Sequence, residues 1–281
     1  MNTLHRRSLL AAAALALAQA ATGARADAGA DALTSARARA VFGALETTDD
    51  GSTMLEPRRL RLPGTSRERA MLPIGTRLRL QATHRVHEAG RAHDLLMWHG
   101  ERPGAGLPGG FDVDVTVLAV FRAGESAPID VAEVQTDRQT YFADPAVLAL
   151  SPTDDAFELV NHHANAGQPY ALNALYHLRG GRLRRIAEID LLGSFAGCAK
   201  AFEQTLRWRS VPDEGRALPR LVAEVQVVHA PLVHTEACRP RPAVRRTLYQ
   251  AAWRWDAAGD RYRAEPGGTL EKLARWNERR R

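Results

Sequence analysis

The chain has 281 residues, 45% of them hydrophobic, enough apolar material for one sizeable core or two smaller ones. Its 38 Lys and Arg outnumber 32 Asp and Glu for a net charge of +6, but the acids are interspersed among the bases, which excludes the clustered basic face of a nucleic-acid binder. The two cysteines, Cys198 and Cys238, have no CxxC spacing, which excludes a thiol redox motif or a cysteine-rich zinc module.

The first element is a leader. A basic start, MNTLHRRS, precedes the apolar run LLAAAALALAQAATGA, and Ala24-Arg25-Ala26 has the small-x-small pattern of a cleavage site. Residues 1–26 therefore read as a signal peptide cut between Ala26 and Asp27. Its loss removes Arg6, Arg7 and Arg25 and no acid, so the net charge falls from +6 to +3. His5-Arg6-Arg7-Ser8-Leu9-Leu10 resembles a twin-arginine signal peptide at the arginine pair and the two apolar residues after the spacer. It has His5 where Ser or Thr is usual and Ala11 where Lys is common. The resemblance covers the leader alone and implies a passenger exported already folded, with an ordinary secretory signal as the alternative. No later apolar run reaches the roughly 20 residues a membrane helix needs, so a soluble periplasmic protein with no stable membrane insertion after cleavage is expected. In that compartment Cys198 and Cys238 are expected to pair, closing a loop of about 40 residues worth roughly 4 kcal/mol in the chain-entropy picture.

Residues 27–76 form a helical and irregular N-terminal segment in this reading. Helix-forming residues run from Asp31 to Phe42, and Asp49-Asp50-Gly51, Pro57, Pro63-Gly64 and Pro73 mark turns. From residue 77 to 281 a β-rich domain with a C-terminal helix is expected. Alternation begins at Arg77, breaks at Glu88-Ala89-Gly90, and resumes over His93–His99. The loop Gly104-Ala105-Gly106-Leu107-Pro108-Gly109 spells GxGxxG, but a strand rather than a helix follows it, so no pyrophosphate cradle forms. That strand, Phe111–Phe121, puts Val113, Val115, Val117 and Ala119 on one face with Asp112 and Asp114 on the other.

Further strands are expected at 129–136, 147–150, 156–163, 205–211, 221–229, 245–255 and 261–264, with a helix over 269–277 striped by Leu270, Leu273 and Trp276. The clearest element is a hairpin over Pro169–Leu192 closed at Gly180-Gly181, which pairs Arg179 with Arg182, Leu178 with Leu183, His177 with Arg184 and Leu175 with Ile186. Its shape recurs 77 residues later around Trp253-Arg254-Trp255. The fold class is therefore mainly β, an antiparallel meander forming a sandwich, barrel or propeller-like sheet assembly with short N- and C-terminal helices.

Two groups of residues are candidates for chemistry. His177, Arg179, Arg182 and Arg184 share a face of the hairpin toward its tip and form a candidate site for an anionic ligand or acidic partner. His84, His87, His93 and His99 are the candidate metal ligands, although alternation sends His84 and His87 to opposite faces and no HExxH helix exists. No cofactor is predicted. The sequence supports an exported, non-enzymatic β-protein that recognises a ligand or an envelope protein through its sheets or loops. The alternative is a periplasmic hydrolase, metal-assisted or carboxylate-based, drawing on these histidines with Asp112 and Asp114. A third reading is an assembly factor whose basic tip meets anionic lipid or polysaccharide.

Overall fold

The computed structural model describes residues 31–48, 51–61, 69–103, 115–134, 139–165, 168–193, 202–229 and 244–279. In chain order they form helix α1 (31–42) and strands β1 (Leu45–Thr48), β2 (Gly51–Met54), β3 (Arg58–Arg61), β4 (Arg69–Leu72), β5 (Arg77–Glu88), β6 (Arg91–Glu101), β7 (Val115–Arg122) and β8 (Pro128–Glu133). There follow β9 (Gln139–Ala149), β10 (Asp155–Asn165), β11 (Gln168–Arg179), β12 (Arg182–Leu192), β13 (Phe202–Val211), β14 (Arg220–His229), β15 (Arg245–Asp256), β16 (Arg261–Ala264) and helix α2 (Leu270–Glu278). Among the described residues no helix is long and apolar enough to cross a membrane.

Short turns between alternating strands make each strand pair with its sequence neighbour. The result is three successive four-stranded antiparallel meanders, β5–β8, β9–β12 and β13–β16. The first is widened to eight strands, in the order β1-β2-β5-β6-β7-β8-β3-β4. Residues 45–72, expected to be irregular, thus supply four short strands of the first sheet. Each is only four residues long and set between turn residues, too brief for alternation to stand out.

The three sheets stack face to face. Val86, Leu95, Leu118, Phe157, Tyr176 and Leu183 fill the layer between the first and second sheets. Leu175, Ile189, Leu191, Leu221, Val225, Trp253 and Trp255 fill the layer between the second and third. On its other side the first sheet curls around α1, burying Phe42, Met54, Trp98, Val117 and Phe121. β7 is consequently buried at seven of its eight positions, because both of its faces are core. The antiparallel meander expectation holds, and the meanders form three stacked sheets.

Each helix is fixed by one buried polar group. From α1, Arg37 is only 5% exposed; its Nη2 donates to Asp94 at 2.8 Å and its Nε to the Glu125 carbonyl at 2.8 Å, while its guanidinium lies over the Phe121 ring. Burial pushes the Asp94 carboxyl up, but hydrogen bonds from Arg37 and Arg85 outweigh it and hold the group below its ordinary value. From α2, Asn277 donates to the Asp190 carbonyl at 2.9 Å and accepts from Gln204 at 2.8 Å, joining the second sheet to the third.

The β11–β12 hairpin has the expected register near its tip, where Arg179 opposes Arg182 and His177 opposes Arg184. Gly180 and Gly181 both take positive φ, 59° and 69°, as a two-residue primed turn requires. Further from the turn the pairing shifts. Leu175 opposes Ala187 rather than Ile186, so Ile186 is the extra residue of a bulge. The shift changes which side chains share a face. Tyr176, Leu178 and Leu183 pack toward the first sheet, whereas Leu175, Ala187 and Ile189 pack toward the third. The hairpin therefore contributes to a core on each of its two faces.

Candidate functional site

The polar face read at the hairpin tip does not form one solvent-facing cluster. His177 is 2% exposed and sits edge-on to Trp255 and Tyr262, with ring centroids 5.8 Å away in each case. Burial drives its pKa down to about 4, with Arg179 adding to the effect, so the ring is neutral and belongs to the core. Arg179 pairs with Asp260 at 2.9 Å and lies over Trp255. Arg182 and Arg184 are exposed. The turn itself abuts acidic side chains. The Leu183 N–H donates to Asp130 at 2.8 Å, and the Gly181 N–H points at the Glu88 carboxylate at 3.4 Å. Sequence could not place His177, because the third sheet that covers it begins some 25 residues later along the chain.

The four candidate metal ligands are spread along the β5–β6 hairpin. His87 lies with its Nδ1 2.9 Å from the Asp155 carboxylate. His93 is buried, and its Nδ1 donates to the Arg91 carbonyl at 2.9 Å. His84 packs at a tilt against Phe142, with centroids 4.3 Å apart, and His99 lies opposite Arg79 in the β5–β6 register. Among the described residues no group of three His, Cys, Asp or Glu side chains is placed to hold a metal ion. Asp112, Asp114, Cys198, Cys238, Ala26 and Asp27 lie outside the described residues.

What the fold does assemble is a groove of about 530 Å3 where the β9 and β13 strands, each terminal in its sheet, face one another. Its floor is made by Leu148, Glu158, Leu175, Leu206 and Trp208. The space exists because β9 breaks register opposite Glu158: Phe157 pairs with Val147 while Leu159 pairs with Phe142. The residues bypassed include Asp144 and Pro145, and a proline has no N–H to give to a ladder. Glu158 is half-buried, and burial raises its pKa to about 7. The Trp208 indole N–H favours the charged form and limits the rise, although it falls short of a hydrogen bond and is left without a partner. Alternation places Thr205, Arg207, Gln226 and Leu248 on the outer face of the third sheet, so the groove runs over the β13 edge onto that face. Glu224 at this outer end is held charged, first by a hydrogen bond from Arg209.

A carboxyl close to neutrality beside an indole in an apolar cleft can accept from, donate to, or ion-pair with a polar group on an otherwise apolar ligand. Glu158 carried a weak sequence signal. It shares its parity with Ala156 and Val160, which marks an acid on an apolar face of β10. Leu206 and Trp208 alternate with Arg207 and Arg209 in the same way. No known protein family matches the chain, and no curated protein is similar to it.

Proposed function

We propose that the protein is an exported, soluble periplasmic binding protein, non-enzymatic, that takes a ligand or an extended segment of an envelope protein in the groove between its second and third sheets. The observation that carries this reading is Glu158 and Trp208 meeting at the bottom of a 530 Å3 opening between two strand edges. The opening lies within the size range of small-molecule sites, roughly 300–1,000 Å3. The ligand class that suits it has an apolar body against Leu148, Leu175, Leu206 and Trp208 and an amine or hydroxyl directed at Glu158. An amine would draw a carboxyl whose pKa burial raises to about 7 into its charged form, as a paired carboxylate.

The leader pattern supports export, and a Cys198–Cys238 bond would follow in an oxidising compartment. The test is fluorescence titration of the protein with panels of amines, saccharides and short peptides, using E158Q and W208F as matched variants. Saturable quenching that weakens at least tenfold in E158Q, at about 1.4 kcal/mol, supports the groove. A ligand bound equally by both variants would place recognition elsewhere. A hydrolase centred on Glu158, in place of the histidines with Asp112 and Asp114, is the second reading, since a carboxyl with a pKa near 7 is suited to general acid catalysis. Turnover of chromogenic glycosides or esters that disappears in E158Q would establish it.

A further inference from the structure

A second cavity, of about 420 Å3, opens where the start of β12 meets β3, β8 and the end of α1. Arg58, Arg59, Arg61 and Arg182 line it, and Asp130 is its one lining carboxylate among the described residues. Four guanidiniums against one carboxylate leave three positive charges. The carboxylate is also committed: Asp130 pairs with Arg61 and accepts from the Leu183 and Val131 N–H groups. The Nε atoms of Arg58 and Arg61 are buried and have no hydrogen-bond partner. Arg59 and Arg182 project from the rim, both exposed.

Gly43 holds the inner end of this arrangement open. It closes α1 with φ of 82°, and a Cβ at that position would lie 2.6 Å from Nη2 of Arg58. Any side chain at residue 43 would therefore displace the guanidinium. The C-terminal dipole of α1, equivalent to about half a negative charge, favours Arg58 there but offsets only a fraction of the local excess. Buried, unpartnered guanidinium donors next to uncompensated charge are costly unless an acceptor arrives.

We propose that Arg58, Arg59, Arg61 and Arg182 form a binding site for a compact oxyanion, a phosphate or a phosphate monoester. Planar guanidinium forks match the oxygens of such a group, and arginines from two separate segments converge on it from more than one side. The site is independent of the Glu158 groove, so E158Q leaves it intact.

The test is calorimetric titration of the full mature chain with inorganic phosphate against sodium chloride of equal ionic strength. Saturable phosphate binding is expected, weakened roughly tenfold or more in R59Q/R182Q through loss of two charge-assisted interactions. R245Q/R246Q removes the same charge from exposed positions of β15 and is expected to bind as the parent does. Retention on phosphatidylglycerol vesicles that free phosphate reverses would assign the oxyanion to a lipid headgroup. Phosphate binding without vesicle retention would assign it to a soluble phosphate compound. Absence of saturable phosphate binding, or an equal loss in both double variants, overturns the site.

Discussion

At the scale of single residues, two ionisable groups on the same side of the second sheet oppose each other through pH. His177 has its pKa lowered to about 4 by burial, so below its ordinary value near 6.5 the unfolded chain takes up a proton that the folded chain refuses. It therefore makes stability rise with pH between about 4 and 6.5. Glu158, raised to about 7, does the reverse. Above about 4.5 the unfolded chain releases a proton that the folded chain retains, so stability falls as pH climbs toward 7. In the parent the two slopes partly cancel between about pH 4.5 and 6.5. E158Q should uncover the His177 slope and stabilise the protein at pH 7 by roughly 1–3 kcal/mol after discounting for solvent screening. H177Q should uncover the opposite slope. Urea unfolding midpoints from pH 4 to 8 provide the measurement, and parallel curves for parent and E158Q would show that Glu158 ionises normally. Neither environment is local in sequence. His177 owes its burial to Trp255 and Tyr262, and Glu158 owes its groove to a register break in β9.

At the scale of elements, the β11–β12 hairpin shows what alternation can and cannot specify. Its turn and the pairings next to it follow from Gly180-Gly181 and period two. The bulge at Ile186 does not, because Ile186 is apolar and fits either parity. The bulge lets one strand serve two cores: Leu183 goes to the first layer, and Ala187, Ile189 and Leu191 go to the second. Deleting Ile186 removes only the extra residue: Arg185 stays opposite Tyr176 and Ala187 opposite Leu175, so Ala187, Ile189 and Leu191 keep the faces they have. A cooperative thermal transition by circular dichroism near the parent temperature is the expected result, whereas loss of that cooperativity would show that the bulge itself is required. By contrast, G180A disturbs only the turn and should cost about 1–2 kcal/mol by forcing a Cβ into positive φ. The 77-residue echo noticed in the sequence also finds its place at this scale. β11 and β15 are the third strands of consecutive meanders, each followed by a short turn into the last strand of its sheet.

For the whole molecule, the middle sheet is the layer that couples the other two, since it shares one core with the first sheet and another with the third. A cavity in either core should weaken the same cooperative unit. F157A opens a hole between the first and second sheets, and L221A between the second and third. Each should lower stability by about 2–5 kcal/mol and shift one unfolding transition that far-ultraviolet circular dichroism and tryptophan fluorescence report alike. Two separated transitions in L221A would mean that the third sheet unfolds on its own. The same stacking leaves β9 and β13 as facing edges, and so creates the groove proposed to bind ligand.

The sequence alone determined most strands from β5 onward, their hairpin connections and the two terminal helices, because alternation, glycine turns and an apolar stripe act over a few neighbouring residues; the four-residue strands β1–β4 were too short to show it. It also carried the leader pattern, which rests on local composition. Only the tertiary structure decided which faces were solvent. By stacking a third sheet over the second, it turned His177 from a tip residue into core and gave Arg179 an acidic partner in Asp260. It joined Arg182 to Arg58, Arg59 and Arg61, and brought Glu158 to Trp208. The physical reason is common to all four. Burial and charge pairing depend on which distant surface covers a face, and period two states that a face exists without naming what will cover it.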